Sequence, residues 1–145
     1  MFSSSIPFCS GTAPFAASVL IVDDVPEIRN LLQRWLRDLG CIATCVSTGE
    51  EAVRFLRTMH LDLVVTDVLM PDGDGLDVTM ELKRIQSTAR IVAMSGGSDY
   101  LHPSECLKWA RGLGADAGLL KPFNRQQFMD TVMPLLAPRD AAALT

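Results

Sequence analysis

The segment Val64–Gly75, VVTDVLMPDGDG, sets three carboxylates, Asp67, Asp72 and Asp74, close behind an apolar run. A second acidic group, Asp23 and Asp24, ends the apolar run SVLIVDD. Two more polar residues close apolar runs in the same way, Ser95 after ARIVAM and Lys121 after AGLL. Carboxylates brought to one place repel strongly at a protein-like dielectric, and the cluster persists only if protonated or neutralised by a cation. A small set of oxygen donors suits Mg²⁺, which keeps several waters and shares its shell with phosphoryl oxygens. A divalent ion, a lysine and a hydroxyl around one carboxylate would stabilise an anionic phosphoryl group. The central carboxylate could then be the nucleophile and form an acyl phosphate.

Convergence depends on the elements that carry these residues. Five short apolar runs, at 18–24, 41–46, 61–67, 89–95 and 117–120, read as strands. Helical spacing of apolar residues separates them: Ile28, Leu31, Leu32, Trp35, Leu36 and Leu39 after Pro26; Ala52, Val53, Leu56 and Met59 behind a Ser/Thr cap. A third helix is expected over about Leu76–Ile85. A fourth carries Cys106, Leu107, Ala110 and Leu113 inward, and a last one presents Phe128, Met129, Val132, Leu135 and Leu136. Gly40 suits the C-terminal cap of the first helix. Regular β–α alternation with short connections implies a parallel sheet with helices on both faces, and strands that are apolar throughout fit burial on both sides. Such sheets place their sites beyond the carboxyl ends of the strands. Strand one ends in Asp23-Asp24, strand three in Asp67, strand four in Ser95 and strand five in Lys121.

Asp67, at the end of the third strand, is the candidate nucleophile. Asp72 and Asp74 follow Met70-Pro71 in PDGDG, the composition of a turn, and are expected to shape the loop and cap the next helix. From Met70 to Glu81 the chain nearly fits a calcium-binding loop, but Met70 stands where an Asp is required and a strand, not a helix, precedes it.

At 145 residues the chain is about one domain long. Residues 18–137 are read as that domain, between a flexible tail at 1–17 and a short one at 138–145. A net charge of −4 disfavours nucleic acid or an anionic membrane as the main partner. No apolar run is long enough to span a bilayer. Cys9, Cys41, Cys45 and Cys106 lack zinc-like spacing and are expected to be reduced thiols, which fits a cytoplasmic protein.

These motifs give a family likeness. IVDDVPEIR, the D-x-x-MP-x-x-DG-like run at Asp67, AMSGG and LLKPF stand in order, each at a strand end, and over residues 18–137 the chain resembles a response-regulator receiver domain of two-component signalling, of the stand-alone type. The resemblance implies a flavodoxin-like (βα)5 fold with strand order 2-1-3-4-5. It implies that Asp67 accepts a phosphoryl group from a sensor histidine kinase or a histidine phosphotransfer protein. Asp23, Asp24, Asp67 and the backbone carbonyl of Leu69 would hold Mg²⁺, Ser95 and Lys121 would bind the phosphoryl group, and Pro122 would be a cis-proline. The chain would be a signalling phosphoacceptor that takes part in its own phosphotransfer and autodephosphorylation, not an enzyme. It would switch a downstream protein target through its fourth helix, fifth strand and fifth helix, or relay the phosphoryl group, and it could dimerise through the fourth and fifth helices.

One position departs from the family pattern. Many receivers carry an aromatic three residues before the lysine, which rotates on activation; here that residue is Gly118. Tyr100 could substitute, and Trp109 could face outward to a partner or pack on the loop. Gly118 also keeps open a phosphorylation-independent interaction module. A nucleotide-binding or phosphatase enzyme is disfavoured, because no Gly-rich loop and no D-x-D motif follows the first strand.

Overall fold

The structure, a computed structural model, describes residues 16–68, 75–86, 88–96 and 102–136. Leu69, Met70, Pro71, Asp72, Asp74, Gly97, Tyr100, Cys9 and most of both tails lie outside the described residues. The elements alternate throughout: β1 Ser18–Val22, α1 Pro26–Asp38, β2 Ile42–Val46, α2 Gly49–Thr58, β3 Leu63–Asp67, α3 Gly75–Ile85, β4 Arg90–Ser95, α4 Pro103–Gly112, β5 Ala117–Leu120 and α5 Arg125–Leu136. All strand pairs are parallel, in the order β2-β1-β3-β4-β5.

Local chemistry explains the helix boundaries. Pro26 opens α1, where its missing N–H costs nothing, and Glu27 in the first turn and Arg37 in the last complement the helix dipole. Gly40 takes a φ of 91° beyond the end of α1, a conformation in which a side chain would be strained. Thr48 caps α2: its side chain accepts a hydrogen bond from the Glu51 N–H at 3.1 Å, while Glu51 Oε1 accepts from the Ser47 N–H at 3.0 Å.

Strand alternation divides the core between the two faces of the sheet. Val19, Ile21, Leu63, Val65, Val92, Met94 and Leu119 face α1 and α5, which contribute Leu32, Leu36, Phe128, Met129 and Val132. Trp35 packs against Phe128 with ring centroids 5.5 Å apart and the rings tilted by 44°, a packing role. On the other face, Leu20, Val22, Val64 and Ile91 meet Ala52 and Leu56 of α2 and Val78 and Leu82 of α3. Val68 and Ala93 meet Cys106 and Ala110 of α4.

The helical periodicity overreached at two edges. Met59, expected on the inner face of α2, is 49% exposed, because it is the C-cap residue and has already left the helix in an extended conformation. Leu31 lies at the margin of the apolar stripe of α1 and is 40% exposed. Cys41 and Cys106 are buried, Cys45 is half-buried within β2, and all three are free thiols.

Candidate functional site

Register brings the strand ends together. Val22 of β1 pairs with Thr66 of β3, so the next residues, Asp23 and Asp67, leave adjacent strands side by side. Ser95 pairs with Leu120, which puts Lys121 next to the end of β4. Alternation then sorts the side chains. Asp23, Asp67 and Lys121 each follow by two a residue of the α1/α5 face, namely Ile21, Val65 and Leu119, and all three turn to that face. Ser95 follows Ala93 and is buried on the opposite face, towards α4.

The resulting cluster is compact. Asp23, Asp24 and Asp67 each bring a carboxylate oxygen within 4.8 Å of the others. Asp23 is fully buried, Asp67 is 7% exposed and Asp24 opens to solvent. Lys121 Nζ donates to Asp23 Oδ2 at 2.9 Å and to Asp67 Oδ2 at 3.0 Å. The other Asp23 oxygen accepts from the Val25 N–H at 2.9 Å. Burial works against the Lys121 ammonium, but hydrogen bonds and charge from Asp23 and Asp67 outweigh it and raise its pKa above the ordinary lysine value. At these separations each like-charged pair repels by roughly 3–4 kcal/mol at an effective dielectric of about 20. Three carboxylates against one ammonium leave two negative charges, which one divalent cation cancels. The donor set, oxygens only and partly open to water, fits Mg²⁺ held by Asp23, Asp24 and Asp67.

Thus Asp23, Asp24, Asp67 and Lys121 come together as the sequence suggests, and Ser95 lies one residue beyond Met94, the ladder partner of Asp67. The Lys121–Pro122 peptide bond is cis. Leu69 lies outside the described residues. Gly118 is not an empty position: a Cβ built there would meet Cδ1 of Leu107 at 3.0 Å.

Two contributors escape a motif reading. Arg29 of α1 donates from Nη1 to the Asp23 carbonyl at 2.7 Å, and the Asp23 N–H donates to the Val46 carbonyl at 3.3 Å. Both hold the β1–α1 turn that presents the acidic pair. The signal for Arg29 is a lone basic residue in the first turns of a helix that begins beside two acids. Val46 acts through its backbone and leaves no signal.

The comparisons with known proteins agree with this geometry. Residues 19–133 match the model of the response regulator receiver domain. The chain is 35% identical over 121 residues to the chemotaxis protein CheY of Halobacterium salinarum, covering 83% of this chain and 98% of that one. It is 34% identical over 118 residues to the probable transcriptional regulator ycf27 of Cyanidium caldarium, where it spans only 45% of the relative's length. Among solved structures it resembles the response regulator protein TrrA of Thermotoga maritima, in complex with Mg²⁺-BeF, with a TM-score of 0.69 and 33% identity, covering 82% of this chain and 98% of that one. By fold, motif and sequence, the chain belongs to the response regulator receiver domain family of two-component signalling.

Proposed function

We propose that the chain is a Mg²⁺-dependent phosphoacceptor whose acceptor is Asp67. The observation that carries this reading is the seat of the Asp67 carboxylate, bound by Lys121 at 3.0 Å and clustered with Asp23 and Asp24. An Asp67 oxygen attacks the phosphorus of a phosphohistidine, a P–O bond forms as the P–N bond breaks, and the departing imidazole nitrogen takes a proton. In this reading Lys121 would hold the added negative charge, and Ser95, at the end of the neighbouring strand, would donate its hydroxyl to the phosphoryl group. When bound, Mg²⁺ would neutralise the cluster and polarise the phosphoryl oxygens. Hydrolysis of the acyl phosphate resets the protein, so it participates in the chemistry without turning over a separate substrate.

The donor is read as a sensor histidine kinase or a histidine phosphotransfer protein. Beside Lys121 an apolar groove of about 390 Å³, lined by Ile28, Leu31, Leu32, Pro122 and Phe123, offers such a protein a surface. The output is read as a change in the binding of a downstream protein, or onward relay. Among the described residues no helix is long and apolar enough to cross a membrane.

The direct test is intact mass after incubation with Mg²⁺ and acetyl phosphate, for the protein and for Asp67→Asn. A single phosphoryl adduct that needs Mg²⁺ and disappears in the variant is expected. No adduct in the parent would move the reading to a phosphorylation-independent interaction module, which the absent aromatic at Gly118 favours; an adduct that survives in Asp67→Asn would put the acceptor at another residue.

A further inference from the structure

A half-buried apolar track follows the face of the sheet covered by α1 and α5. Ile28, Trp35 and Leu39 along α1 and Leu135 of α5 pack against the core of that face without being fully covered. At the end nearest the candidate site, the track opens into the groove of about 390 Å³ lined by Ile28, Leu31, Leu32, Pro122 and Phe123, with Lys121 in its wall. Leu31 is 40% exposed there.

The other end of the track is where the chain enters the sheet. Strand β1 runs towards the site while α1 and α5 run back from it, so the ends of both helices lie near the start of β1. Ala17, the residue before β1, is buried in the same cluster that Trp35, Leu39 and Leu135 pack against, and its carbonyl accepts from the Ile42 N–H at 2.8 Å. Residues 1–15, which lie outside the described residues, are therefore tethered at the foot of this face. No residue from 1 to 17 has a charged side chain, and Phe2, Ile6, Phe8 and Phe15 are large and apolar. Laying such a segment on an apolar groove desolvates no side-chain charge and takes aromatic surface out of water.

The tether selects among these residues. Helix α1 has 13 residues and is about 20 Å long. An extended chain advances ~3.3 Å per residue, so Phe15, two residues from Ala17, spans only about 7 Å, whereas Phe8, nine residues away, spans about 30 Å. Pro7 restricts its own φ and holds Ile6 in extended backbone, so Ile6-Pro7-Phe8 loses less freedom on seating than an unconstrained triplet. Phe2 has no such neighbour and closes a longer loop.

We propose that Ile6-Pro7-Phe8 of the chain's own N-terminal segment seats in the groove between α1 and Pro122-Phe123, and so covers the surface beside Lys121 that a phosphodonor protein would use. The seat stands on the groove and the tether; its effect on the donor rests on the reading of Asp67 as phosphoacceptor. A donor as small as acetyl phosphate does not need the groove. A protein donor must first displace the segment.

The test uses the full chain with Cys45→Ala and a nitroxide on Cys9, next to Phe8, since Cys41 and Cys106 are buried. The amide signals of Ile28, Leu31 and Phe123 are expected to broaden more than those of Ala52, Phe55 and Leu56 on the opposite face, and Ile6→Ser with Phe8→Ser is expected to abolish the excess. Equal broadening on both faces, or an excess that survives the double substitution, overturns the seat and leaves the groove to a partner protein. Nitroxide-bearing chains mixed with isotope-labelled chains that lack the nitroxide separate the copies: the same excess in the mixture gives the groove to a second copy and overturns the intrachain seat. A synthetic peptide of residues 2–12 is expected to bind the double variant at least about tenfold more tightly than the parent, where the tethered segment competes; equal affinity also overturns the seat. Intact mass with Mg²⁺ and acetyl phosphate is expected to show the adduct in parent and double variant alike. No adduct in the parent overturns the phosphoacceptor reading, and with it the effect on the donor, but not the seat.

Discussion

Lys121 Nζ stands 3.0 Å from Oδ2 of Asp67, although β4 lies between the strands that carry them. The lysine reaches past the end of β4 and also holds the buried Asp23 at 2.9 Å. Without a bound cation it is the positive charge that makes the cluster tolerable.

Removing that charge should therefore make the fold depend on metal. Lys121→Met is expected to lose roughly 2–4 kcal/mol of stability in EDTA, a little less than the ~3–5 kcal/mol for breaking a fully buried ion pair, because the Lys121 side chain is 18% exposed. Saturating Mg²⁺ should restore a larger share of stability to the variant than it adds to the parent, since it meets three uncompensated carboxylates. Urea unfolding with EDTA and with Mg²⁺ measures both. Equal Mg²⁺ effects on the two proteins would show that Lys121 is not the counter-charge of the cluster.

Arg29 binds the carbonyl of Asp23, not its carboxylate, so its role is to hold the turn in place. Arg29→Ala is expected to weaken Mg²⁺ binding on the order of tenfold, the lower end of the effect of losing an outer-shell partner. Arg29→Lys, which keeps one donor, should fall between. Calorimetric Mg²⁺ titration reads the series, and unchanged affinity in Arg29→Ala would rule out the positioning role.

The strand ends were legible in the sequence because two rules act together: parallel register sets equivalent ends level, and alternation with period two chooses the face. Ile21-x-Asp23, Val65-x-Asp67 and Leu119-x-Lys121 obey both, so side chains far apart in the chain meet. Leu107 over Gly118 was not legible, because a missing side chain does not announce what fills its place. Arg29 leaves only the trace of a basic residue beside two acids, and its actual partner, a backbone carbonyl, is not legible. Leu31 and Met59 fit helical spacing and yet lie at the edge of a stripe or past a helix end, where periodicity carries no information about cover.

Gln86 illustrates a structural polar residue that a motif reading passes over. Its Oε1 accepts from the Leu61 N–H at 2.9 Å, and its Nε2 donates to the carbonyls of Leu56 and Met59, both at 2.7 Å, tying the end of α2 to the residue after α3. Gln86→Leu strands these partly buried groups and is expected to cost about 2 kcal/mol. Gln86→Glu should be no better, since a carboxylate would face two carbonyls. Urea midpoints give the cost, and acetyl phosphate labelling should be unaffected. A variant as stable as the parent would show that water replaces all three bonds.

The cap of α2 gives the fold an acid-sensitive element at its surface. Hydrogen bonds from the Ser47 N–H and hydroxyl, then from Thr48, hold the Glu51 carboxyl below its ordinary value of 4.5, against a smaller opposing effect of burial. A folded-state pKa that is lowered means the ionised form is favoured in the fold. Its contribution is complete above the unfolded value and disappears as pH falls through the folded one. Glu51→Gln keeps an acceptor for Ser47 but does not titrate. The stability difference between parent and variant is therefore expected to stay constant above about pH 6 and to shrink on acidification towards about pH 3. Thr48→Ala, which removes the Oγ1 that accepts from the Glu51 N–H, should cost about 1 kcal/mol. Urea unfolding of the parent and both variants across this range provides the measurement. A parent–Gln difference that is flat through the acid region would mean that the Ser47 bonds do not favour the ionised carboxylate.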